Sequence, residues 1–164
     1  MSDPITALRS AHRGAYGLGL ALCGGTPVLI ALLILSGVVP PGTQAPVGLL
    51  EQVGYLFTGI VFLSSSYTWW RLGQVLRGFK ELPERQRAQV LLRESLVAAA
   101  TFESSSLLGL AYWCLVGNHA TRHVWGFILL TPVLFLALVP RYERWEKASE
   151  MNSPGQSGGT PLGP

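Results

Sequence analysis

Charged residues are scarce in this chain, and their scarcity argues against an ordinary soluble domain. Asp, Glu, Lys and Arg make up 13% of the 164 residues, which is about half of the share that is usual in soluble domains. The net charge of +3 comes without a basic tail or an interleaved aromatic–basic patch, so nucleic-acid binding is not indicated. Hydrophobic residues account for 49%, and a chain of this length predicts one compact domain.

Cysteine and the common catalytic patterns are also scarce or missing. Cys23 and Cys114 are too few for a disulfide framework, and both fall inside apolar runs, which favours a packing role. No nucleophile–base pair, phosphate loop or metal-ligating cluster stands out. His12 is far in the chain from His119 and His123, so these histidines predict interfacial positions and not haem or metal ligands. The sequence predicts neither an enzyme nor a cofactor.

Long apolar runs are what the chain has in abundance. Each run approaches or exceeds the length that crosses the ~30 Å hydrocarbon core of a bilayer as a helix. Helix two is expected to continue to about Arg77, with Gly78 as its stop, and helix three to begin near Pro83. We therefore predict an all-α, antiparallel four-helix bundle that is integral to the membrane, over residues 1–150. The predicted spans are about 14–38, 48–77, 83–117 and 124–140, and the tail 151–164, rich in Gly, Pro and Ser, is predicted to be disordered.

The basic residues predict the orientation of the spans. With four spans, all but one of the 12 Lys and Arg residues lie on one side, and Arg122 is the exception. Basic residues collect on the cytoplasmic side of membrane proteins. Both termini are therefore predicted to be cytoplasmic, in a multi-pass protein of the plasma (inner) membrane. The lipid bilayer is the first partner that the sequence predicts.

Glu103 is the most informative residue, because it is the only charge between Ser95 and Gly117. Counting along the helix places it about 12 Å inside the cytoplasmic boundary. The same count places Ser64, Ser65 and Ser66 of helix two near that level, and Ser106 lies one turn above Glu103. We expect these hydroxyl groups to surround the carboxyl group.

Two roles for Glu103 are open on the sequence alone. In the structural role, a protonated Glu103 hydrogen-bonds to the serines and holds the helices together. In the functional role, it binds and releases a proton or another cation, with Ser64, Ser65, Ser66 and Ser106 as candidate ion-binding neighbours.

Helix one carries a stripe of small side chains. Gly17, Ala21 and Gly25 recur at four-residue intervals, which is the spacing that lets two membrane helices approach closely. The stripe predicts helix packing, either within the chain or between two copies.

Two resemblances accompany this reading. The third span with its central Glu103, followed by a short hairpin, a fourth span and Pro140, Arg141, Tyr142, Trp145 and Glu146, resembles an uncharacterised bacterial family of four-span membrane proteins. That resemblance implies the four-span fold and no activity.

A lesser likeness is to rotary ATP synthase subunit c, through the Arg85-Gln86 step and Phe102-Glu103. It implies an ion-carrying role for Glu103 alone, since the chain departs from that pattern in loop length and in having two further spans.

The sequence thus leaves two functional classes. The first is a small non-catalytic membrane protein, an accessory or scaffolding subunit whose partners are other membrane subunits or a second copy. The alternative is a proton- or cation-handling bundle centred on Glu103.

Overall fold

The described part of the chain is helical along nearly its whole length. The computed structural model describes residues 4–42, 47–117 and 121–150, and no strand occurs among them. The elements are α1 (Pro4–Leu35), α2 (Val47–Gly78), a short 3₁₀ helix (Phe79–Glu81), α3 (Glu84–Val116), α4 (Thr121–Leu138) and α5 (Tyr142–Glu150). The prediction of an all-α fold is confirmed for these residues. The predicted disordered tail lies outside them.

Glycine and proline set the helix ends, close to where the sequence placed them. Gly37, which follows α1, has a φ of 74°, and Gly117, which ends α3, has a φ of 59°. Both values lie in the left-handed region that residues with a Cβ rarely adopt. Pro83 is extended and immediately precedes α3, because its ring fixes φ and it has no N–H to donate.

The long helices are packed around α3. α1 and α4 make the most extensive contacts with α3, and α2 packs on it less extensively. α2 barely touches α4. The fold therefore attaches α2 along one side, through α3, and leaves most of its remaining surface open.

The end of the molecule that holds Gly117 is closed by the segment after α1. The Gly42 N–H donates to the Trp113 carbonyl (3.3 Å), and the Trp113 indole N–H donates to the Val39 carbonyl (3.2 Å). A Cβ on Gly42 would collide with the carbonyl group of Cys114. We call this the Gly117 end of the molecule.

The opposite end is closed by α5, and we call it the α5 end. Trp145 is completely buried there, with its ring edge-on to Phe79 at a centroid distance of 4.9 Å. The two rings share one apolar cluster, here called the α5 cluster, whose buried members are Leu8, Ala15, Phe79, Leu91, Trp145 and Ala148. The Pro-Arg-Tyr-x-x-Trp-Glu segment is therefore the cap over this end of the helices.

The surface of the helices is unusually apolar between these two ends. Leu18, Leu63 and Leu129, on three different helices, are examples, with at least half of each side chain exposed. Two stretches, Leu8–Leu35 and Thr121–Ser149, are long and apolar enough to cross a membrane by length and composition. α2 and α3 do not meet that measure within the described residues. The prediction of four membrane spans is therefore not confirmed by the helices alone.

Candidate functional site between α1 and α3

Glu103 lies on the face of α3 that packs against α1. Both oxygen atoms of its carboxyl group are buried, and neither has a hydrogen-bond partner among the described residues. Thr26 and Cys23 of α1 lie within electrostatic range of the carboxyl group. The Thr26 hydroxyl faces it without meeting the distance and angle of a hydrogen bond. A buried carboxyl group without a partner is rare and calls for an explanation.

The backbone of α1 is interrupted at the same level. Pro27 lies inside α1, and because proline has no N–H, the Cys23 carbonyl lacks its usual donor one turn later. The Cys23 side chain is fully buried, and its thiol donates to the Ala99 carbonyl of α3 at 3.4 Å. Glu103 therefore faces a stretch of α1 where a carbonyl, a hydroxyl and a thiol group occur within one turn.

Ser105 and Ser106 of α3 bind α4 and not Glu103. Ser106 and Thr131 share a hydrogen bond of 2.7 Å, and Thr131 donates onward to the Phe102 carbonyl at 3.1 Å. Since a hydroxyl has one proton to donate, Ser106 is the donor to Thr131. Ser105 donates to the Phe127 carbonyl at 2.9 Å. The expected contact between Ser106 and Glu103 is not formed.

The serines of α2 are not neighbours of Glu103 either. Ser64 donates to the Val61 carbonyl of its own helix at 3.1 Å. Ser65 and Ser66 line a groove between α2 and α4. The expected hydrogen bonds from the α2 serines to Glu103 are therefore not formed among the described residues. Counting residues gives the level of a side chain along its helix but not the direction in which it points. In the structure, the face of α3 that carries Glu103 packs against α1.

The stripe of small residues on α1 faces outward. Gly17, Ala21 and Gly25 are exposed, and a Cβ on either glycine would meet nothing within 4 Å. Gly19 makes the close approach instead, since its Cβ would lie 2.5 Å from the Phe135 ring. The alternative in which the stripe packs within the chain is wrong, and contact with another chain stays open.

One polar contact was not anticipated from the sequence. Arg71 of α2 and Glu94 of α3 form a two-pronged ion pair, with both N–O distances at 2.9 Å. The Glu94 side chain is only 8% exposed. The sequence did contain a pattern that could have predicted this ion pair, because Arg71 follows the second apolar run and Glu94 precedes the third. Residues at those positions lie at the same end of two antiparallel neighbours.

His12 belongs to the α5 end. Its ring lies 5.5 Å from the rings of both Tyr16 and Tyr142, and the Pro140 carbonyl lies near it. No group of three or more His, Cys, Asp or Glu side chains is placed to hold a metal ion within the ranges that the structure describes.

These features place the protein in the class of all-α proteins with four long helices. Between two of these helices lies a carboxyl group whose oxygen atoms are buried and have no hydrogen-bond partner among the described residues. No protein-family model, no curated protein and no solved structure matches the chain.

Proposed function

We propose that the chain is a small, non-catalytic, multi-pass protein of the plasma membrane, in which α1 to α4 are the four spans. The observation that supports the four spans is the ring of exposed apolar side chains around all four helices. A monomeric soluble protein rarely exposes a contiguous apolar patch above a few hundred Å². The ring includes Leu18, Leu22, Val28, Leu29 and Leu32 of α1; Leu56, Phe62, Leu63 and Trp69 of α2; Val97 and Leu107 of α3; and Leu129, Val133 and Leu136 of α4.

Exposed charged residues lie at both ends of this ring, at the levels where a bilayer has its headgroups. Arg13, Arg77 and Arg93 are exposed toward the α5 end, and Arg122 is exposed at the Gly117 end. The excess of basic residues at the α5 end favours a cytoplasmic location for it. Both termini would then be cytoplasmic, with α5 as a cap in contact with water.

We further propose that the protein acts as an accessory or scaffolding subunit of a larger membrane complex. The observation that carries this role is the exposed stripe of Gly17, Ala21 and Gly25, where a Cβ on either glycine would meet nothing within 4 Å among the described residues. In lipid, helices associate through close backbone packing, and small residues permit it. The partner is another membrane subunit or a second copy of this chain.

Replacement of Gly17 and Gly25 by leucine tests this role. We expect the double variant to remain folded, because both positions have open space within 4 Å, and to lose the proteins that travel with the wild type. The measurement is co-purification from membranes in mild detergent, followed by native gel electrophoresis and mass spectrometry. Gly126→Leu is the matched control, since Gly126 of α4 is also exposed with nothing within 4 Å.

Each part of the proposal has its own contrary result. Recovery of the wild type in the soluble fraction after cell disruption would reject the membrane location. A wild type that purifies only as a lone monomer would reject the accessory role. Partners retained by the double variant would show that the stripe is not the contact surface.

A second function, proton or cation handling at Glu103, is favoured by one specific observation. Neither carboxyl oxygen has a hydrogen-bond partner among the described residues, although buried polar groups usually find one. An ionisable residue inside a membrane span is by default a candidate for ion movement. The Thr26 hydroxyl would supply a neighbouring oxygen atom.

Glu103→Gln separates this function from a purely structural role. Glutamine keeps the shape of the side chain, so we expect intact assembly and loss of any proton-coupled activity of the assembled complex. Dicyclohexylcarbodiimide, which modifies protonated carboxyl groups in apolar surroundings, should label Glu103 in the wild type near neutral pH, as read by peptide mass spectrometry. Glu51→Gln is the control, because Glu51 is an exposed residue near the start of α2. This change should leave the labelling of Glu103 unchanged. If Glu103 is not labelled and the Gln variant keeps full activity, proton or cation handling is rejected and the structural role is the one that remains.

A further inference from the structure

A long apolar groove separates α2 from α4, where the two helices barely touch. Its volume is about 360 Å³, within the range of small-molecule sites. Phe62 and Trp69 of α2 line one wall, and Phe127 and Leu134 of α4 line the other. Because the groove opens to the side of the helices, its contents would come from the lipid phase.

The groove continues into a second, cationic hollow toward the α5 end. This hollow has a volume of about 150 Å³ and shares Trp69 and Leu138 with the groove. Arg77 of α2 and Arg144 of α5 both line it, and no acidic residue is among the described residues of its lining. Both arginines are exposed, and neither forms an ion pair within the part of the chain that the structure describes.

We propose that this continuous surface binds one anionic phospholipid, with an acyl chain in the groove between α2 and α4 and the phosphate group between Arg77 and Arg144. The inference rests on the proposed membrane location. Guanidinium groups bind phosphate oxygens through paired N–H donors. Basic hollows between helices on the cytoplasmic side are suited to anionic headgroups.

The order of side chains along the surface matches the order of groups in a phospholipid. Apolar side chains lie at mid-membrane depth, the indole rings of Trp69 and Trp70 follow, and the two arginines come last. Tryptophan prefers the level of the headgroups. A helix from another protein would fill the apolar part but would leave two cations facing it without an anion, so charge complementarity selects the lipid.

Lipid titration of the purified protein tests the proposal. The full chain, extracted from membranes and stripped of lipid in mild detergent, is titrated separately with dioleoylphosphatidylglycerol and dioleoylphosphatidylcholine. Native mass spectrometry counts the bound lipids. We expect the anionic lipid to bind about tenfold more tightly, from two arginines near the headgroup.

Matched variants assign this preference to the hollow. Arg77→Gln with Arg144→Gln should abolish the preference. Arg13→Gln with Arg93→Gln, two exposed arginines outside the hollow, should keep it. Ser66→Phe, which fills the groove and leaves both arginines in place, should weaken binding of both lipids.

Several results would overturn the proposal. Equal affinity for the two lipids would do so, and so would a preference that survives the Arg77 and Arg144 changes. Equal binding of soluble glycerophosphate would show a phosphate site without a lipid chain, which also rejects it. Recovery of the protein in the soluble fraction would be recognised before any titration and would reject the membrane location and the lipid site together.

Discussion

Replacement of Trp145 by alanine is expected to lower the free energy of unfolding by about 3–5 kcal/mol, which is the usual cost of truncating a fully buried tryptophan. Trp145 has no exposed surface and lies edge-on to Phe79 in the α5 cluster. Its indole N–H has no hydrogen-bond partner among the described residues, so the change removes packing without breaking a polar contact.

The location of the α5 cluster accounts for the size of this effect. Between helices surrounded by lipid, burial of apolar groups gives little driving force, because the lipid tails are as apolar as the side chains. At the α5 end, which the proposed orientation places in water, burial of Trp145 against Leu8 and Leu91 benefits from the full hydrophobic effect. Loss of the indole ring should therefore release α5 from the end of the helices.

The measurement is denaturant unfolding in detergent micelles, followed by circular dichroism. Limited proteolysis of the segment around α5 reports its release. Trp70→Ala is the control, since Trp70 is 57% exposed, and exposed substitutions usually change stability by about 0.5 kcal/mol or less. Equal losses for the two variants would mean that the α5 cluster does not stabilise the fold.

Arg71→Ala is expected to lower the free energy of unfolding by about 2–3 kcal/mol. Removal of one partner of a buried ion pair typically costs about 3–5 kcal/mol, because the remaining charge is left uncompensated. The Glu94 side chain is 8% exposed, so its charge would stay buried without a partner. Arg71 is 35% exposed, and because water already solvates part of the ion pair, the expected loss of stability is below that range. Since α2 is attached mainly through α3, the loss should loosen α2 in particular.

A double-mutant cycle distinguishes the ion pair from general disruption. The cycle consists of Arg71→Met, Glu94→Leu and the combination of the two. The combination removes both charges and keeps apolar bulk, so we expect it to be more stable than the sum of the two single losses predicts. Arg93→Ala is the control, because Arg93 is exposed and adjacent to Glu94 in sequence. If the double variant is as unstable as the sum of the single variants, Arg71 and Glu94 do not act as a pair.

Glu103 and the stripe of small residues on α1 illustrate what a sequence determines and what it leaves to the tertiary structure. The sequence identified Glu103 as an exceptional residue and placed its level within the third helix. It did not identify the neighbours of Glu103, and the serines chosen for it by depth bind elsewhere. The stripe of Gly17, Ala21 and Gly25 was correctly seen as a small-residue face of a helix, but the structure turns that face outward.

By itself, the sequence predicted the four long helices and the signals at several of their ends, but neither α5 nor the start of α1 at Pro4. Helix formation depends on hydrogen bonds between residues four apart, and the ends depend on local signals such as Gly78, Pro83 and Gly117. Only the tertiary structure decided which faces meet, as in the contact of Arg71 with Glu94 and the open groove between α2 and α4. The physical reason is that the faces of each long helix differ little in hydrophobicity, so hydrophobic periodicity gives no direction for packing. Shape, at positions such as Gly19 against Phe135, supplies that direction, and shape complementarity exists only once both helices are in place.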